Sequence, residues 1–402
     1  MATTERDNEQ PCLPGGLIPL DQWSMPDVSV HKTLRAGFKD ILEQLRSGLT
    51  PESEAFESLD DLPSLPAKKL KRYAPEPDAS ALAPAILEQL EALRQQGVHN
   101  RQVSFIVAPP FSGVPDALLT LPARVIEPPD NLLMSEQDAD RWWDEQLSDD
   151  DWVLPELANF WLRHRSGLHL LKSFFARVAM DGAGRGIVAC SSWCWQFWVR
   201  YWPEIHVGPL TLAPLDSERL TDWLDFLARG GNGRSMTARM TNDGHYVLPP
   251  KTDESKEKYS CFTQDLANAA RGNRGVAHAI WQRALRAKPE ENADQDEDGA
   301  SKTAECWVVP FDQLSLPGVP QGSGQQAGIV LHAIMLHSSL TIASLERVTG
   351  IAGAELKLLL SRFLRADLIV QDENTQAYRP TALGYPSVRK YLQARGFSVD
   401  GF

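Results

Sequence analysis

Between Ala79 and Gly231 short β-rich runs alternate with helical stretches, and that alternation restricts what the chain can build. Leu82, Ile86, Leu87, Leu90 and Leu93 recur at helical spacing, and Val103-Ser-Phe-Ile-Val107 then reads as a strand bounded by turn residues. A Pro/Gly loop, Ala108 to Pro115, leads into Asp116-Ala-Leu-Leu-Thr-Leu121, which opens a short helix. Trp161 to Asp181 is again helical in spacing and is broken by Gly182 to Gly186. Ile187-Val-Ala-Cys190 and Pro209-Leu-Thr-Leu-Ala213 read as two further strands, and Asp216 or Ser217 caps a helix through Leu220, Trp223, Leu224 and Leu227. Strands and helices in alternation predict an α/β fold around a parallel sheet.

The flanks differ. Residues 1–78 read as a leader and linker: Val30 to Leu49 has a helical period, Pro51, Pro63 and Pro66 follow among acids and serines, and Lys68-Lys-Leu-Lys-Arg72 reads as a solvated basic turn. Residues 232–258 read as polar and irregular, Cys261 to Lys288 as helical with a turn at Arg271-Gly-Asn-Arg-Gly275, and Pro289 to Glu305 as an acidic linker. The expected organisation is therefore a leader (1–78), an α/β core (79–231), a helical segment (232–288), a linker (289–325) and a C-terminal domain (326–402). A length of 402 residues accommodates two or three domains. No run approaches the roughly 18 apolar residues that cross a bilayer, and the polar, acidic start lacks a signal-peptide pattern, so a cytoplasmic location is expected. Five scattered cysteines fit reduced thiols rather than a disulfide framework. Cys190 and Cys194 have no second ligand pair nearby, and Asp149-Asp-Asp151 reads as a solvated turn, so no metal site is expected.

Ala108-Pro-Pro-Phe-Ser-Gly-Val-Pro115 resembles a Walker A loop in which required residues have been replaced. A working loop wraps phosphate with backbone N–H groups, supplies a lysine, and binds Mg²⁺ through Ser or Thr. Aligned on Gly113, the first glycine is Ala108, the lysine is Val114 and the metal ligand is Pro115, which also removes an N–H. A Walker B strand ends in acid, whereas Ile187-Val-Ala-Cys190 is followed by Ser191-Ser-Trp193. Phe262 to Trp281 resembles the lid helices of AAA-type and STAND-type ATPases, with Arg274 at the usual proline position of the turn. The resemblance covers about residues 80–402. It implies a P-loop-NTPase-like parallel sheet with a helical lid and a C-terminal winged helix, as in initiator-like members of that group. It also implies loss of hydrolysis, with ATP or ADP held at most weakly at Ala108, Pro109, Pro110, Ser112 and Gly113. No other catalytic constellation stands in the sequence, so the chain leans away from being an enzyme.

The last segment resembles a winged helix: helices at Ile329–Leu336, Leu340–Thr349 and Ala352–Ala366, strands at Leu368–Val370 and Ala377–Arg379 around the polar turn Asp372–Thr375, and a final helix at Pro386–Arg395. Net charge from Gln326 to Phe402 is +2, against −15 for the rest of the chain. Lys357, Arg362, Arg365 and Arg379 are the candidate nucleic-acid contacts, while Asp372 and Glu373 at the wing tip oppose a phosphate backbone. The leading expectation is an inactive AAA/STAND-like relative serving as an interaction or regulatory component of a protein assembly. A DNA-binding regulator acting through the winged helix and a weak ATP binder with unconventional ligands are the alternatives. Eight of the twelve tryptophans fall between Trp142 and Trp202. They are expected to fill the core, an exposed partner-binding surface being the alternative.

Overall fold

The computed structural model describes residues 11–26, 64–99, 101–147, 150–180, 182–230, 236–248, 258–287, 304–322 and 324–402. The stretch Val30 to Leu49 and most of the acidic linker lie outside them. The chain divides into two compact units, one drawn from Met1–Ser24, Pro77–Ala213 and Leu316–Phe402, the other from Met25–Glu76 and Pro214–Ser315.

The first unit is built on a six-stranded sheet of order β1-β6-β2-β5-β4-β3. Its strands are β1 (Leu17–Pro19), β2 (Val103–Ala108), β3 (Arg124–Val125), β4 (Trp152–Leu154), β5 (Gly186–Ser191) and β6 (Leu210–Leu212). All neighbours run parallel except β1 on β6. The fold is α/β with a mixed, mostly parallel sheet, as the alternation predicts. Successive side chains of a strand point to opposite faces, and both faces are covered. Ile106, Ala108, Val153 and Ala189 face Leu82, Ile86 and Leu90 of α2 (Ala79–Gln95) and Val114, Ala117 and Leu118 of α3 (Val114–Leu119). Phe105, Val107, Trp152, Leu154 and Val188 face α4 (Glu136–Gln146), α5 (His169–Ala179) and α6 (Ser192–Tyr201). That second cluster holds most of the aromatic run: Trp143, Trp152, Trp161 and Trp198 are fully buried in it and Trp195 nearly so, and Trp193 is buried beside it. Six of the eight tryptophans are core, and Trp142 and Trp202 pack against it half-buried.

Residues 324–402 supply α10 (Gly324–Leu336), α11 (Ile342–Thr349), α12 (Gly353–Arg365), the antiparallel pair β11 (Ile369–Gln371) and β12 (Tyr378–Pro380), and α13 (Tyr385–Ala394). These elements lie where the periodicity places them. α10 is apolar almost all round and buried along Ala327–Leu336 apart from the half-buried Ile329, and it packs on α6 within the same unit.

In the second unit β8 (Tyr246–Leu248), β7 (Met236–Met240), β10 (Ala304–Val308) and β9 (Leu285–Arg286) form a four-stranded sheet in that order. α1 (Ala67–Tyr73) packs on α7 (Ser217–Arg229), and α8 (Phe262–Ala270) and α9 (Arg274–Ala284) pack together. The basic run Lys68–Arg72 is therefore helix, not turn. β7 and β8 lie within the stretch that reads as irregular, and β10 begins at the end of the acidic stretch. The helices of the expected lid thus share their unit with a sheet. The turn between α8 and α9 uses Arg271 and Gly272 at φ 54° and 75°, and a Cβ at Gly272 would come 2.7 Å from Cβ of Pro214. Asn273 takes the capping role, its side chain accepting from the N–H groups of Gly275 and Val276.

Candidate functional site

β2 ends at Ala108, and the next five residues turn sharply into α3 at Val114. Phe111 at φ 67° and Gly113 at φ 78° both adopt the left-handed region, the second at little cost because glycine has no Cβ. Ala108, Pro109, Pro110, Ser112 and Gly113 are therefore brought together, in a tight loop at the C-terminal end of a central parallel strand. The Ser112 hydroxyl is buried and accepts the N–H of Val114 at 3.3 Å. Val114 is fully buried with Leu82 and Ile86, so the position a phosphate-binding lysine would take is an apolar core position. Pro115 offers no N–H, and α3 is six residues long.

β5 lies beside β2 over six residue pairs and ends at Ser191, opposite Ala108. The sequence places no acid there, but the fold brings two from elsewhere. Glu156, two residues past β4, accepts the N–H of Ser191 at 3.0 Å and that of Ala158 at 2.9 Å. Burial pushes its carboxyl up to about 7, against those N–H donors and the Ser338 hydroxyl. Asp400 arrives from the segment after α13. Its Oδ2 accepts from the Ser192 hydroxyl and from the Tyr385 hydroxyl at 3.2 Å, and its Oδ1 accepts from Arg389 Nε at 3.0 Å. Arg389 also donates to the Asp400 carbonyl at 2.8 Å, and Trp193 Nε1 donates to the Tyr385 hydroxyl at 3.2 Å. The Arg389 and Asp400 side chains are 8% and 1% exposed, an ion pair out of water. Burial raises the Asp400 carboxyl above its ordinary value despite its donors, and burial with the Asp400 charge holds the Tyr385 phenol well above its own.

Side chains after α12 thus reach the mouth of the loop. Tyr385 meets the Phe111 ring edge-on at 6.0 Å, and its hydroxyl joins the network that also ties Ser192. Alongside, Arg163 donates to His332 Nδ1 at 3.3 Å through its side chain and to His337 Nε2 at 3.3 Å through its backbone. Burial and the Arg163 charge lower these imidazoles to about 4 and about 3, so both are neutral near pH 7.

The cationic candidates lie elsewhere. Lys357, Arg362 and Arg365 are exposed on α12, and Arg379 is exposed on β12 opposite Val370. Leu358, Leu364 and Val370 are exposed among them, at 55%, 37% and 38%. Asp372 folds back on its own turn, accepting from the N–H groups of Asn374 and Thr375, which lowers its carboxyl below the usual range. Among the described residues no group of three or more His, Cys, Asp or Glu is arranged to hold a metal, and no helix is long and apolar enough to cross a membrane. Cys190 and Cys194 are buried thiols. Sequence reasoning missed Glu156 and Asp400. The first had a signal in Trp152-Val-Leu-Pro-Glu156, an apolar run closed by an acid, while the second had none, because 208 residues separate Ser192 from its partner.

No family model matches the chain, and no curated protein matches it. Among solved structures it is similar to the Aeropyrum pernix ORC2 protein, determined as ADPNP–ADP complexes, at 12% identity and a TM-score of 0.30, covering 96% of this chain and 98% of that one. A score at that level identifies neither a fold nor a function.

Proposed function

We propose that this chain is a non-hydrolysing relative of AAA/STAND P-loop ATPases that acts as an interaction or regulatory component of a larger protein assembly. The observation that carries this reading is the packing of Tyr385 and Asp400 over the loop and strand end where a nucleotide's phosphates would rest. The buried Val114 and the N–H-less Pro115 support it, because phosphoryl transfer depends on positioned cations and donors. Residues 324–402 are read as a winged helix whose exposed face, with Leu358 and Leu364 beside Arg362 and Arg365, suits a protein partner: exposed leucines and arginines are common at such contacts. Calorimetric titration of the purified chain with ATP and Mg²⁺ tests the reading. Binding no tighter than millimolar is expected, and a micromolar, Mg²⁺-dependent isotherm would overturn it.

The second reading, a DNA-binding regulator, is favoured by the four exposed cations on α12 and β12. It requires duplex affinity that falls steeply with salt and on replacing Arg362 and Arg365 by Ala. A duplex whose mobility is unchanged at low salt removes it.

A further inference from the structure

The end of the sheet opposite the 108–115 loop, where β2 and β5 begin, carries a cavity of about 360 Å³. Its floor belongs to the main core, where Val103, Phe175 and Val207 are buried, and its rim is formed by the segments 183–184 and 202–207 that lead into β5 and β6. Phe175 and Trp202 meet edge to face, centroids 6.3 Å apart at 88°, and present aromatic surface to the space. The rim is different in kind. Arg101, Glu204 and His206 line it and are exposed, and among the described residues no hydrogen bond or ion pair occupies their side chains. An apolar, aromatic interior with a few polar groups converging at the mouth is the ordinary composition of a small-molecule site. At the low end of the roughly 300–1,000 Å³ range for such sites, the volume suits one or two rings and excludes a dinucleotide. The guanidinium fork of Arg101 matches a planar anion.

We propose that this cavity binds a small aromatic molecule carrying a carboxylate or another planar anionic group, its ring against Phe175 and Trp202 and its anion at Arg101 and His206. The proposal is independent of the reading of the 108–115 loop. The probes are 2-naphthoate and its uncharged counterpart 2-naphthamide, titrated into the full chain by calorimetry and followed by ligand-observed NMR. One-to-one binding of the acid is expected, with the amide weaker by about tenfold. Arg101→Ala brings the acid close to the amide. Ala179→Trp and Ala176→Trp, on the cavity wall at the end of α5, fill the space and abolish binding of both probes while the thermal melt stays that of the parent. No binding of the acid at millimolar concentration, equal affinity for acid and amide, or undiminished binding in both tryptophan variants would each overturn the proposal. The acid–amide comparison is made on the unmodified chain, so it stands even if a variant fails to fold.

Discussion

A lysine at position 114 would put an ammonium among Leu82, Ile86 and Ala117, where the native valine is fully buried. Val114→Lys is therefore expected to lower unfolding free energy by about 3 kcal/mol or more, measured by urea denaturation, and to confer no ATP turnover. The Arg389–Asp400 pair makes a second prediction. Asp400→Ala strands a buried guanidinium and two hydroxyls and should cost about 3–5 kcal/mol, whereas the double replacement Arg389→Met with Asp400→Leu should recover most of it. A double replacement no better than the single would show that the ion pair is not the source of the loss. At this scale the turn between β2 and α3 was legible, because Gly and Pro are local signals. The acids at the end of β5 were not, because their placement depends on how β4 and the segment after α13 come back to it.

Among elements, α10 and the segment after β4 carry opposed titrations. His332 and His337 have folded values near 4 and 3 against an ordinary 6.5, so the unfolded chain takes up protons first. Stability they favour is present above 6.5 and is lost as pH falls from 6.5 toward 4 and 3. Glu156, near 7 against an ordinary 4.5, has the reverse sign: the folded chain keeps the proton, and stability is lost as pH rises from 4.5 to 7. Urea midpoints across pH 4–8 should thus show Glu156→Gln removing the decline between 4.5 and 7, and an unchanged profile would contradict the assignment. For α12, Arg362→Ala with Arg365→Ala should leave the thermal melt within about 0.5 kcal/mol of the parent, since both side chains are exposed. The helices of this region were legible from their 3.6-residue period. β7 and β8 were not, although Asn242-Asp-Gly244 between them is a hairpin signal and Gly244 sits at φ 70°. Met236-Thr-Ala-Arg-Met240 has little β-branched content, and its strand is fixed by parallel pairing with β10, 68 residues away at Ala304.

For the whole molecule, the alternation of strands and helices was enough to predict a parallel α/β sheet, and aromatic density was enough to predict a tryptophan-rich core. What local pattern could not supply is the grouping: residues 326–402 read as a separate C-terminal domain, and the structure groups 316–402 in one unit with 77–213. α10 is the physical reason, since a helix apolar almost all round along 327–336 buries itself against α6. In the same unit Tyr385 meets Phe111 of the loop and Asp400 meets Ser192 at the end of β5. The most direct measurement is steady-state phosphate release by the purified chain at saturating ATP and Mg²⁺. The account predicts a rate indistinguishable from buffer, unchanged by Glu156→Gln; sustained Mg²⁺-dependent release that Glu156→Gln abolishes would contradict it.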